Sequence, residues 1–507
     1  MYLVINLGLK SIRGIIFDNN NEQIYSLSFP VHTTLFQEKV EQDPKEWIEL
    51  LEKILEDIKH NTDLSDQIEN LTVTTSSSCI LGIDESGAPQ TPVLMVSDKR
   101  ASDISKEIAS DEFYNKINDA YKITSASSSL APKAIWFKRN YPEVYKKVRW
   151  WLGAGEYLSK YFTGKIFTDP LNAGKSFYSK NHYQIDLLKH FGIDSDTLPE
   201  VVDIGQFYEV DHEVIKKYNL SKNCKFVVST YDAICAVLGS STGEQNNACD
   251  VSGTVTSVRV LHHKLPANKS DILLTQPLEA LDKYLVGASN NLGGGIIEWF
   301  KQAFYDEDDP EVYYKMENMA HKGRVGADGV LFLPYLLGER APFINPDASA
   351  SFFGIRRNST IIQFTRAVFE STAFVTRDLV ELIKSSGTEV NSLTVSGGLA
   401  RFDLINQIKA DVCNIPVHVV ENFESTSIGA LVIMKIANKE YSNLDEALGD
   451  VINVRKIINP SKKNHVIYNG IFDLFKKVNE SLESIYSIHS DLKKKQEVHQ
   501  NEIVRNL

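Results

Sequence analysis

Apolar residues along this chain switch between two spacings, and the switches mark the elements. Leu3–Ile5 and Gly14–Phe17 are short runs of strand-forming residues joined by Leu7-Gly8-Leu9-Lys10-Ser11. From Glu46 to His60 the residues Trp47, Leu50, Leu51, Ile54, Leu55 and Ile58 recur at helical spacing behind Asp43-Pro44. An aspartate cap followed by a first-turn proline predicts a helix there. Leu71–Thr75 and Phe226–Ser229 read as strands, and Ala233–Leu238 as the start of a buried helix. Alternation of this kind predicts α/β layers.

The polar stretch Gly239–Asn247, with two glycines and no periodicity, is the best boundary in the middle of the chain. After it the chain starts again. Residues 248–260 form a second strand–turn–strand pattern in which Gly253 is followed three positions on by Thr256, as Gly8 is followed by Ser11. Two readings stand at this level: two hairpins that share turn chemistry by chance, or two lobes of related topology, each presenting a hairpin loop to a cleft between them. Beyond Ser461 a helix is predicted over Gly470–Tyr486, then a charged, solvated tail over Asp491–Leu507.

Composition narrows the classes. The chain has 507 residues, 43% hydrophobic and 24% charged, which fits a globular protein of about three domain-equivalents. Five scattered cysteines with no C-x-x-C pair argue against a zinc ribbon or a disulfide framework and suit a reducing compartment. Lys and Arg total 54 against 66 Asp and Glu, a formal net charge of −12, and the longest basic run is Lys493–Lys495. No nucleic-acid partner is expected from that balance. The start of the chain lacks the pattern of a secretory signal, and no apolar run approaches the ~20 residues of a membrane span. The expectation is a cytoplasmic protein with no membrane partner.

Glycines cluster in four places: Gly8; Gly253-Thr254; Gly293-Gly294-Gly295 before Ile296–Phe300; and Gly397-Gly398 after the strand ending at Ser396. Each suits close approach of backbone N–H groups to an anion, the third as a glycine-rich loop opening a helix. Together they favour a phosphate-rich ligand. Asp232, just after the apolar strand Phe226–Ser229, stands where carboxylates face the ligand crevice of an α/β sheet. Local sequence also fits a plain helix N-cap there, and on that ground alone favours it. Trp136, Trp150 and Trp151 read as core, and Ser76–Cys79 as a loop leaving a strand; the twelve histidines show no metal-ligand spacing.

The segment Phe332-Leu-Pro-Tyr-Leu-Leu-Gly-Glu-Arg-Ala-Pro-Phe, continuing through Asn345–Ala348 to Phe353-Gly354, resembles the C-terminal motif of the FGGY carbohydrate kinases. Other stretches match that family in order. These are the opening loop, Val93–Ala101, Tyr157–Gly164 with Asp169–Ala173, Ser396–Arg401 with Gln407 and Asp411, and Glu424–Ala430.

The resemblance implies two ribonuclease-H-like lobes of the actin–hexokinase type with a central cleft. The expected division is residues 1–244, 245–475 and a tail 476–507. It implies ATP and Mg²⁺ as cofactors and phosphorylation of a hydroxyl of a small sugar or polyol, with a homodimer as the expected assembly. Asp232 falls on the family's general base, which displaces the N-cap reading. Gly8, Leu9, Lys10, Ser11 and Arg13 fall on the first phosphate loop, and Gly253 and Thr254 on the second. Gly294, Glu298, Gly397, Gly398 and Phe402 fall on nucleotide positions. Ser77, Ser78, Asp98, Arg100 and Tyr231 lie on the sugar side, as contacts or their supports. Three departures stand out. Asn6 replaces a metal-directing aspartate, Leu9 replaces a threonine, and Ser77-Ser78 replaces the Met-His pair of xylulokinases. They make plain xylulose an unexpected acceptor, and they motivate the alternative of a catalytically weak or inactive nucleotide- or sugar-binding sensor.

Overall fold

The computed structural model describes residues 1–121, 126, 128–268, 270, 272–278, 281–306, 308–421 and 424–505. The chain divides into two compact units, Met1–Gly239 with Glu424–Val451, and Ser240–Phe423 with Ile452–Leu507.

In the first unit six strands form the main sheet: β1 (Tyr2–Leu7), β2 (Ser11–Phe17), β3 (Gln23–Pro30), β4 (Asn70–Thr75), β5 (Phe207–Glu209) and β6 (Lys225–Val227). Their order is β5-β6-β4-β1-β2-β3. β1 runs antiparallel to β2 and parallel to β4, and β4 parallel to β6. β4 is buried at all six positions, as a parallel strand covered on both faces must be. The predicted helix is α1 (Pro44–Asn61), and all six predicted apolar residues are buried. Asp43 caps it by accepting from the Lys45 N–H at 2.9 Å. α1 packs closely because Gly14 of β2 has no side chain; a Cβ there would lie 2.3 Å from Ile54 Cγ2.

Helix α2 (Leu130–Asn140) and helix α3 (Asp232–Leu238) belong to the same unit.

The second unit repeats the plan. Its strands are β7 (Asn247–Ser252), β8 (Thr256–His262), β9 (Leu274–Leu278), β10 (Lys283–Ser289), β11 (Ser392–Ser396), β12 (Val417–Val420) and β13 (Val454–Ile458). They are ordered β9-β10-β8-β7-β11-β12-β13. β7 pairs antiparallel with β8 and parallel with β11, β11 parallel with β12, and an antiparallel edge strand closes the sheet. This is the pairing of β1 with β2 and β4, of β4 with β6, and of β6 with β5. Of the two readings of the repeated hairpin, related topology is the one the fold has. Helices α4 (Gly294–Phe304), α5 (Val312–Lys322), α6 (Ile361–Ser385) and α7 (Asp403–Cys413) complete this unit.

Three expectations change. The first unit ends at Gly239, not residue 244, and takes back Glu424–Val451, which holds α8 (Ser425–Ala437). The cause is a backbone-to-backbone helix crossing. A Cβ at Gly239 would lie 1.8 Å from the Ser425 carbonyl, and one at Gly429 would lie 1.9 Å from that of Cys235. The separate tail is also replaced: one helix, α9 (Lys462–Arg505), runs through residue 476 as part of the second unit. Its Tyr468, Phe472, Phe475 and Tyr486 are buried in that unit's core. Of Trp136, Trp150 and Trp151, all expected in the core, Trp151 is fully buried; Trp136 and Trp150 are half-buried beneath the guanidinium groups of Arg100 and Arg149 at 4.6 and 4.5 Å. Among the described residues no helix is long and apolar enough to cross a membrane.

Candidate active site

The turn between β1 and β2 is closed by the Gly8 N–H donating to the Ser11 carbonyl at 3.0 Å. The tip carbonyls are tied down: Leu9 accepts from Gln42 Nε2 at 2.9 Å, and Lys10 from the Val31 N–H at 2.9 Å. Among the described residues the tip amides of Leu9 and Lys10 donate to no protein acceptor, and both side chains are exposed. Two outward N–H groups beside a lysine make an anion-accepting tip. Asn6 is half-buried on β1, paired with Arg13 across β2 and with Thr74 on β4. Arg13 departs from its expected place, because its guanidinium is bound to the Glu424 carboxylate at 2.6 Å. That pair joins β2 to the start of α8.

Asp232 is the first residue of α3, and Tyr231 occupies the N-cap position without a side-chain capping bond. The expected cap is therefore not Asp232. The carboxylate stands one position further in, half-buried, where the helix dipole favours its charge. Burial pushes the Cys79 thiol up and the Asp232 charge adds to that shift, so the two groups are near enough to interact electrostatically. The approach to Asp232 is pinned: Thr230 Oγ1 donates to Asp169 at 2.9 Å, and its carbonyl accepts from Thr74 Oγ1 at 2.9 Å. Asp169 is buried, and burial raises its carboxyl against the opposing pull of Thr230 and Asn172. The Lys175 ammonium lies 5.5 Å from the centre of the Tyr231 ring. Burial lowers its pKa, and the Asp169 charge opposes that.

At the positions expected on the sugar side, Ser78 holds a left-handed backbone, φ 66°, with its Oγ 3.5 Å from that of Ser77. Asp98 and Arg100 are partners. The buried carboxylate takes Arg100 Nη2 at 2.7 Å and the Val40 N–H at 2.9 Å, while Arg100 also reaches Glu41 at 2.7 Å. Both are committed to protein partners. Sequence reasoning missed the group beneath them. Lys133 of α2 is fully buried and donates to the Ser78 carbonyl at 2.6 Å and the Met95 carbonyl at 2.8 Å. Burial takes its pKa down to about 8. The signal was present, a lone lysine on the apolar stripe formed by Leu130, Ala131, Ala134 and Ile135.

In the second unit three glycine clusters meet. The expected open loop at Gly293–Gly295 is closed. The N–H groups of Gly293 and Gly294 donate at 2.7 Å to the carbonyls of Thr254 and Gly253, and that of Gly295 reaches Thr254 at 3.3 Å. These amides anchor the β7–β8 tip and leave its own amides, at Gly253, Thr254 and Val255, facing outward with no acceptor among the described residues. A Cβ at Gly294 would lie 2.5 Å from the Gly253 carbonyl. Gly397, at φ +82°, would bring one to 2.7 Å from that of Ser252, with Gly398 starting the next turn. Behind the tip Asp250 is fully buried, bound by Lys409 Nζ at 2.5 Å and by Thr376 Oγ1 at 2.9 Å.

The Gly-Glu-Arg-Ala-Pro motif braces the same tip. Arg340 donates to the carbonyls of Ser289 and Asn290 at 2.9 Å, and Asn290 Oδ1 accepts from the Thr256 N–H at 2.8 Å. Glu339 accepts from the N–H groups of Asn291 and Arg340 at 3.0 and 2.8 Å. Burial outweighs those bonds and takes its carboxyl up to about 7. Glu298 of α4 accepts from Lys301 and from Tyr313 of α5. Burial opposes its ionisation, but these two bonds hold it below the usual carboxylate range. Tyr313 meets Phe402 edge-on at 6.0 Å, and Phe402 meets Phe369 at 5.6 Å.

Two repeated sheets, each with an anion-accepting hairpin tip, and one carboxylate at the end of a parallel strand define a two-domain phosphotransferase of the actin–hexokinase type. Residues 1–239 match the N-terminal domain of the FGGY family of carbohydrate kinases, and residues 251–437 match its C-terminal domain. The chain belongs to that family and is an ATP-dependent carbohydrate kinase. It is 25% identical over 485 residues to a xylulose kinase of Staphylococcus epidermidis, covering 94% of this chain and 96% of that one. It is 24% identical over 516 residues to a gluconokinase of Bacillus subtilis, covering 96% and 97%. The gluconate kinase of Lactobacillus acidophilus shares the fold at a TM-score of 0.85 and 21% identity, covering 96% of this chain and 99% of that one. These relatives are kinases, and nothing in them favours the inactive alternative raised by Asn6 and Leu9.

Proposed function

We propose that this kinase moves the γ-phosphoryl group of ATP to a terminal hydroxyl of an open-chain sugar or sugar acid, with Asp232 as general base. The observation that carries the reading is the position of Asp232, first in α3 and within electrostatic reach of Cys79 in the loop that leaves β4. The acceptor oxygen forms a bond to phosphorus as the bond from phosphorus to the β-bridging oxygen breaks. ADP leaves and Asp232 takes the hydroxyl proton. In each unit the unpaired tip amides, joined in the first by the Lys10 ammonium, suit phosphate oxygens and spread their charge. Glu298, Gly398 and Phe402 serve the nucleoside end. Ser77 and Ser78, set by Lys133, meet acceptor hydroxyls.

Mg²⁺ fits as a companion of the phosphates. Among the described residues no three His, Cys, Asp or Glu side chains converge as a protein cage would need. A hydrated ion bound mainly by phosphate oxygens, with Asn6 accepting from one of its waters, matches that donor set. Its chemistry would be neutralisation of phosphate charge.

Lys175 favours a carboxylate-bearing acceptor within this class. It is a half-buried cation beside Tyr231, and no hydrogen bond or ion pair engages its ammonium among the described residues. Burying a charge without a partner is costly, and an acceptor carboxylate would relieve that cost.

The test is an ADP-release assay with gluconate, xylulose and glycerol, with and without Mg²⁺. Asp232→Asn is expected to lower kcat by ~10²-fold or more with ATP affinity nearly unchanged. Equal turnover in the variant rejects the assigned base. Lys175→Met is expected to lower kcat/KM for gluconate by about tenfold or more and to leave xylulose largely unaffected; equal loss on both removes the carboxylate preference.

A further inference from the structure

The second unit holds a cavity of about 210 Å³ whose lining includes no residue of its hairpin tip. Its walls come from α6, α9 and the segment 335–345 that contains the Gly-Glu-Arg-Ala-Pro motif. Four aromatic rings line it: Tyr335, Phe343, Phe475 and Tyr486. Tyr335 stands edge-on to Phe343 at 5.1 Å and 6.4 Å from Phe475, so the rings form a box.

Asp378 lines this box from α6. It is 8% exposed. Its carboxylate accepts no hydrogen bond from any described residue; only burial and the charges of Glu381, Lys476, Arg377 and Glu339 act on it. The two neighbouring cations have other partners. Lys476 binds Glu381 at 3.3 Å and lies 4.6 Å over the Phe472 ring, while Arg377 donates to Glu381 at 2.9 Å. Burial takes Asp378 up to about 8, so it keeps its proton at neutral pH. Glu480 and Glu483 add two exposed carboxylates to the lining.

A buried carboxyl group with no donor is stabilised by a cation, and aromatic faces attract the same charge. A metal ion suits the box poorly, because among the described residues no three ligating side chains converge. We propose that the cavity binds a small organic ammonium ion, its charge on Asp378 and its apolar part among the four rings. Glu480 and Glu483 draw it in. Nothing in the kinase reaction requires this site, and it stands or falls independently of the acceptor.

The test uses the full chain and two probes of equal length, n-butylammonium and n-butanol, followed by isothermal titration. The ammonium is expected to bind about tenfold or more tightly than the alcohol. At pH 7 binding releases a proton, read as a heat that changes with the ionisation enthalpy of the buffer, because Asp378 must ionise. Affinity then rises as the pH is raised through about 8, the value to which Asp378 is shifted. The groups that act on Asp378 are Glu381 and Arg377 on its own helix, Lys476 from α9, and Glu339 and Tyr335 from the segment that carries the Gly-Glu-Arg-Ala-Pro motif. Of these Glu339, at about 7, titrates closest, so Glu339→Gln is run beside the wild type and is expected to keep the proton release. Asp378→Asn is expected to erase both the preference and the release. Should that variant fail to fold, the wild-type proton release and a weakening of about two- to threefold in Glu483→Gln decide the matter. Equal binding of the two probes, absence of proton release, or undiminished binding in Asp378→Asn overturns the proposal.

Discussion

At the first hairpin the tip carbonyls of Leu9 and Lys10 are tied by one side-chain amide and one distant backbone N–H. At the second, the carbonyls of Gly253 and Thr254 take three consecutive glycine amides. Both solutions turn tip amides outward, and they differ in what stands behind. The first tip is backed by the half-exposed pair Arg13–Glu424, the second by the buried pair Lys409–Asp250 and the Arg340 brace. The difference teaches that one task, leaving the backbone N–H groups of a hairpin tip without protein acceptors, has been met once by loose tethering and once by rigid close packing of backbone.

The largest expected contrast lies in those ion pairs. Lys409→Met leaves Asp250 buried without its cation and should cost about 3–5 kcal/mol. Arg13→Met should cost about 0–1 kcal/mol, since its pair is partly solvated. Denaturant unfolding of both variants checks this, and comparable losses would mean the tips are backed alike. A second contrast concerns glycine. Gly294→Ala places a Cβ 2.5 Å from the Gly253 carbonyl, whereas at Gly8 the nearest atom would be 3.8 Å away. The first variant should raise KM for ATP by about tenfold or more, the second by less than about threefold. A reversed order in steady-state kinetics would place the rigid tip in the wrong unit.

The smallest effects are in pH. Lys133 falls from its ordinary 10.5 to about 8 on folding. The unfolded chain therefore binds more protons between those values, and stability rises with pH across that window. Lys133→Met should remove the rise. Glu339 is shifted the other way, from 4.5 to about 7. Its contribution is fully present below its unfolded value and is lost as pH rises through about 7. Glu339→Gln should flatten stability there. Unchanged profiles for both variants would mean that neither group is held as its burial implies.

Much of this was legible in advance. The helix over Pro44–Asn61, the repeated hairpin and the glycines at its turns follow from spacing and turn chemistry, which are local properties. The misreadings share a cause. Gly293–Gly295 look like free donors until the hairpin that consumes them is folded against them. Arg13 reads as a phosphate ligand until Glu424, 411 residues away, is brought beside it. Asp232 reads as a cap because one residue of phase decides between cap and first-turn acid.

Along the chain, periodicity and glycine placement determined the α/β layers, the two-fold repeat and the ordered motifs of an FGGY kinase. Tertiary structure alone decided which of the polar groups are committed to other protein groups. Hydrogen bonds and ion pairs are satisfied by whatever folding brings within 3 Å, and that partner is as often hundreds of residues distant as adjacent. Lys133 under Ser78, Arg340 behind the second tip and the unmatched Asp378 are all consequences of such distant pairing or its absence.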